Sequence, residues 1–175
     1  GNSNFITAVK DAEVITITIG GNNLMQAAKD PNALGGYDFF KINSAVAEEG
    51  LRDFQLHWTA IISRVKELNS KAKIIVTTTY NPYNVSDLYL HNTVDGLLTR
   101  SGTGLNDIII NNSHLGYKVA NVFEAFDGYS INNRMVDVTY LYPRDLWELI
   151  TRSPHPRALG QNIIFDLCKA AYNTP

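Results

Sequence analysis

The chain has 175 residues, 45% of them hydrophobic and 18% charged, and a formal net charge of −2. That is the balance of a globular domain with a core, and no apolar run approaches the ~18 residues of a bilayer span. The charge argues against a nucleic-acid surface, which needs clustered cations, and the single cysteine, Cys168, excludes a disulfide framework or a Cys-rich metal site.

No repeat and no Pro/Gly/Ser linker divides the sequence, so residues 1–175 read as one domain. Ala8 to Ala12 reads as the end of a helix. The β-branched run from Val14 to Ile19, stopped by Gly20-Gly21, reads as a buried strand. From Val46 to Leu68 the residues Leu51, Phe54, Trp58, Ile61, Val65 and Leu68 recur at helical spacing, which predicts an amphipathic helix. Lys73 to Thr79 is a second buried strand, ended by Tyr80-Asn81-Pro82. A helical region from Ser86 to Ser113 follows, broken at Ser101-Gly102-Thr103-Gly104. Tyr117 to Val122 is a third strand. Beyond it the spacing predicts a loop-rich stretch, a short helix over Pro143 to Ile150, and a last helix from Leu159 to Ala171. Strands alternating with helices imply an α/β domain with a parallel sheet, although three strands make it thin.

In open α/β sheets ligands bind beyond the carboxyl ends of the strands. Two segments there carry candidate chemistry. Ile19-Gly20-Gly21-Asn22-Asn23-Leu24 offers close backbone approach and amides able to hold an oxyanion; the same residues also suit a plain strand-end turn. Ser153-Pro154-His155-Pro156 sets a histidine between prolines, which suits either an aimed general base or a helix-start turn. The other histidines, His57, His91 and His114, form no metal-ligand spacing with it or with each other. Tyr80, Tyr83, Tyr140 and Tyr142 are candidates for lining an apolar pocket, or are ordinary half-buried aromatics.

A strand running into Gly20-Gly21-Asn22-Asn23, a second strand of KIIVTTTYNP type and a late H-P-x-x-x-G resemble the SGNH (GDSL-type) hydrolases, in particular bacterial lipase/acylhydrolase-like members. The resemblance spans the chain from about Phe5 onward. It implies a three-layer α/β/α, flavodoxin-like fold and hydrolysis of acyl esters or lipid-like substrates without a cofactor. It also implies His155 as catalytic base, Asn22 in the oxyanion hole, and Gly20, Gly21 and Asn23 supporting that turn. A bacterial cell-envelope or extracellular setting fits the same family.

The chain departs from the family pattern in three places. Nineteen residues precede Gly20, and none reads Gly-Asp-Ser, so the nucleophile is expected in a segment absent from this chain, together with the first strand or strands. Arg152 stands where the triad acid belongs, with a backbone carbonyl, Asp145 or Asp137 as candidate substitutes, and Asn23 replaces an aspartate. Ser101 lies in a Gly-rich setting without the strand that a nucleophile elbow needs. The expectation is therefore an ester hydrolase whose serine lies elsewhere, with a non-catalytic binding or structural domain as the alternative. The open sheet edge is expected to be covered by an N-terminal fragment or by self-association.

Overall fold

The computed structural model describes residues 3–150 and 152–174. Three strands, β1 (Val14–Ile17), β2 (Lys73–Thr77) and β3 (Lys118–Ala120), form one parallel sheet in the order β1-β2-β3. The register sets Ile17 beside Val76 and Thr77 beside Ala120.

All three strands are shorter than their predicted runs, and at β2 a side chain takes over the backbone groups at the exit. The Asn106 amide accepts from Thr79 N at 2.7 Å and donates to Thr79 O at 2.8 Å. Asn121 accepts from Glu124 N at 3.3 Å and so starts a helix directly after β3.

One face of the sheet packs on α3 (Ser44–Leu68) and α5 (Leu105–Asn111). Asn43 caps α3 by accepting from Ala45 N and Val46 N, which moves its start ahead of the apolar stripe. The stripe buries Ala47, Leu51, Phe54, Trp58 and Ile62; Ile62, not Ile61, is fully buried, as the 3.6-residue turn carries the contact line past position 61. Trp58 donates to the Tyr117 hydroxyl at 3.1 Å, and Tyr117 donates to Ile109 O, so this aromatic core contains no idle polar group. The break predicted near Ser101 separates α4 (Leu88–Leu98) from α5. A short helix, α1 (Ser3–Asp11), leads into β1 and is tied to the end of α3 by the Asn69 amide, which donates to Val9 O and Ala12 O.

The stretch predicted as loop-rich after β3 holds two helices, α6 (Val122–Ile131) and α7 (Met135–Val138), and the short helix predicted over Pro143 to Ile150 is α8 (Leu146–Ile150). In α6 the buried positions are Val122, Phe126 and Ser130. The third is polar, and its hydroxyl donates to Tyr83 O at 2.7 Å inside the protein, so hydrophobicity alone hides the repeat.

The last helix, α9 (Ala158–Asn173), lies over β2 and β3 and packs its Ile163, Ile164 and Leu167 on Phe126, Met135 and Val138. β1 is thereby left as an edge strand with Val14, Thr16 and Thr18 exposed, whereas Ile74, Ile75 and Val76 of β2 are all buried. Among the described residues no helix is long and apolar enough to cross a membrane.

Candidate functional site

The exit of β1 is shaped by Gly20, whose φ of +104° belongs to the region that favours glycine. A Cβ there would stand 2.8 Å from Leu105 Cδ1 and 3.0 Å from Phe54 Cε2. Gly20 therefore turns the chain and packs against the core. Its carbonyl accepts from Asn23 N at 3.0 Å and opens a single-turn helix, α2 (Gly21–Met25).

The two asparagines then part. Asn23 donates to Asp53 Oδ2 on α3 at 3.0 Å, and its backbone carbonyl sits against Gly50. An aspartate at 23 would put two carboxylates together, so the amide suits this chain's Asp53. Asn22 is exposed, and its side-chain amide forms no hydrogen bond among the described residues.

Asn22 and His155 line the same cavity, of about 320 Å³, beyond the carboxyl ends of β1 and β2. Thr18, Gly21 and Thr77 to Thr79 line the wall between them. Of the tyrosines proposed for such a pocket, Tyr80 and Tyr83 reach it. Tyr142 instead donates to Asp87 and accepts from Asn84 N at 2.8 Å, and Tyr140 lies under the Arg157 guanidinium at 4.4 Å.

The His155 segment is fixed from several sides. His155 O accepts from Tyr140 N at 3.0 Å, His155 N donates to Ser153 Oγ at 3.2 Å, and Arg157 N donates to Val138 O at 2.7 Å. Tyr80 stacks on Phe126 with centroids 4.3 Å apart and donates its hydroxyl to Pro154 O, which ties the exit of β2 to the histidine. Gly160, the glycine of H-P-x-x-x-G, lies where a Cβ would meet Val138 O at 2.5 Å, so α9 closes against α7 only without a side chain there.

Arg157 anchors the whole turn. Buried, it donates to Thr139 O at 2.7 Å, to Tyr142 O at 3.0 Å and to both oxygens of Glu148 at 2.5 and 2.7 Å. Sequence reasoning assigned these two residues no role; an arginine beside a proline-held histidine, with a glutamate in the preceding helix, is the available signal. The Arg157 guanidinium and the Arg144 N–H hold the Glu148 carboxyl at about 2, from an ordinary value of 4.5. A carboxyl whose pKa is lower in the fold than in the unfolded chain stabilises above its unfolded value. That contribution drains as pH falls from about 4.5 towards 2. Relative to the intrinsic exchange rate at each pH, protection of the Tyr140 and Arg157 amides is expected to hold down to about pH 4.5 and to fall below it; unchanged protection at pH 3 would show that the clamp does not hold the turn.

Neither candidate acid partners His155. Asp137 pairs with Arg134 at 2.8 Å and with Arg144 at 3.5 Å, and Asp145 caps α8 by accepting from Glu148 N at 2.9 Å. Arg152 stacks over the Phe40 ring at 4.9 Å. Among the described residues no carboxylate forms an ion pair with the His155 ring. Among the described residues no serine lines the cavity. Ser101 sits in the break between α4 and α5 with φ +43°, a turn conformation. His57 is exposed on α3, 3.2 Å from Asp53.

No family model matches this chain. It is similar to the uncharacterized protein YpmR of Bacillus subtilis (strain 168), with 24% identity over 135 residues, 77% of this chain and 49% of the relative. The chain thus spans about half the length of the curated relative it matches.

Proposed function

We propose that this domain belongs to a serine ester hydrolase of the SGNH type, with His155 as general base and Asn22 in the oxyanion hole. The nucleophilic serine arrives on polypeptide that pairs with the free edge of β1, completing a three-layer α/β/α, flavodoxin-like arrangement. The observation that carries this reading is the meeting of Asn22 and His155, from distant parts of the sequence, in one cavity at the strand ends. The exposed edge of β1, β-branched yet unpaired on one side, supports the position of the additional strand.

In this reading the serine Oγ attacks the ester carbonyl while its proton passes to His155. The carbonyl oxygen becomes an oxyanion that accepts from the Asn22 amide, and Gly21 leaves room for the substrate to approach. His155 returns the proton to the departing alcohol, and water repeats the sequence on the acyl-enzyme. With no carboxylate on its ring, His155 is aimed by the backbone bonds of its turn and by the Arg157–Glu148 clamp.

A second reading is a binding domain that keeps the cavity and not the reaction. Arg152 at the acid's position and a His155 ring without a carboxylate partner among the described residues favour it. Fluorophosphonate labelling with peptide mapping separates the two. The expected result is no label on the 175 residues alone, and one labelled serine when the chain is expressed with its flanking coding sequence. A label on a serine within these residues would overturn the proposed source of the nucleophile. No label in either protein would leave the binding domain.

A further inference from the structure

We infer that the cavity beside Asn22 and His155 takes an unbranched, uncharged hydrocarbon chain of medium length, which is the acyl part of the substrate if the hydrolase reading above holds. Its lining also includes Leu24 and Met25 of α2, Phe39 and Ile42 of the following loop, and Val94 and Leu97 of α4. Among the described residues no aspartate, glutamate, lysine or arginine lines it. Its volume of about 320 Å³ lies at the lower end of the ~300–1,000 Å³ found for small-molecule sites, so the chain it holds has an upper length.

The polar atoms in these walls are already engaged with one another. Tyr83 donates to Phe39 O and Tyr80 to Pro154 O. Thr77 donates to Thr18 at 3.0 Å, and Thr78 donates to Asn121 while accepting from Phe123 N. Burial raises the pKa of both phenols, Tyr80 and Tyr83, so neither becomes an anion at working pH. Among the described lining residues, the side chains with a polar group that makes no hydrogen bond are Asn22, His155 and Thr79, all at the strand ends. A sugar or peptide against these apolar walls would leave its hydroxyls or amides without partners, whereas a methylene loses nothing by leaving water. The site therefore has one polar end, suited to a carbonyl, and one apolar end, suited to the chain behind it.

The test is calorimetric binding of the straight-chain acids hexanoate, octanoate, decanoate, dodecanoate and palmitate to the 175-residue chain, with methyl glucoside and N-acetylglycinamide as polar comparisons. Affinity is expected to rise about fourfold per added methylene and then level off once the chain outgrows the cavity. Val94→Phe should move the plateau to shorter acids and Val94→Ala to longer ones, with thermal melts confirming that both variants fold. Affinity independent of chain length, a plateau that ignores Val94, or preferential binding of the polar comparisons would each overturn the inference. Because no turnover is needed, the outcomes separate cleanly. A chain-length series without any fluorophosphonate label keeps the pocket and removes the hydrolase, and a label without the series does the reverse.

Discussion

Gly20→Ala is expected to destabilise the domain by about 3 kcal/mol, combining left-handed backbone strain with overpacking of the core. The backbone at Gly20 has φ +104°, and the added methyl group would enter the space of Leu105 and Phe54. Neither neighbour has freedom to yield. Leu105 is fully buried at the start of α5, and Phe54 is stacked on Trp58 with centroids 5.1 Å apart. For a domain of this size the melting temperature should fall by roughly 6–12 °C. Gly21→Ala is the control, since a Cβ there meets only Thr79 Cγ2 at 3.7 Å, and its melt should stay close to that of the parent. Equal melts for the Gly20 variant and the parent would show that the β1 exit is not the tight point described.

The second large effect concerns rate. On the hydrolase reading proposed above, with the chain expressed together with its nucleophile, Asn22→Ala is expected to lower kcat by about 100- to 1,000-fold, the range for losing one oxyanion donor. His155→Ala should cost about 100- to 10,000-fold, as expected for a general base. Both side chains are exposed and neither makes a hydrogen bond through its polar group among the described residues, so both variants should melt with the parent. That pairing is the discriminating feature. A loss of rate with an unchanged melt places the residues in the chemistry. A loss of rate that follows the melt would assign them to the fold, and an unchanged rate would remove them from the proposed mechanism.

The sequence made the scaffold readable where one physical signal dominated. The β-branched run at Lys73 to Thr77 is buried along its apolar length, and the α3 stripe needed only a small shift, from Ile61 to Ile62. It concealed elements held by polar groups. α6 was missed because Ser130 occupies a buried position and satisfies itself on Tyr83 O. The strand ends ran long on paper because nothing in KIIVTTT announces that Asn106, distant in sequence, takes both backbone groups of Thr79. For the site, the Gly-Gly-Asn-Asn segment and His155 could be picked out by residue type. Their convergence on one cavity could not be, nor could the different fates of Asn22 and Asn23, which depend on Asp53 of α3.

The division of the site between α2, at the exit of β1, and the turn before α9 makes its assembly depend on the packing of the last helix. Asn22 is held by the sheet and α3, whereas His155 is held by α9, by α7 and by the bond from Tyr80 to Pro154. A transient detachment of α9 would dissolve the site while β1, β2 and α3 stayed in place. Hydrogen exchange would register this as a sub-global opening confined to the His155 turn and α9. A ligand that bridges Asn22 and His155 would oppose this opening by mass action.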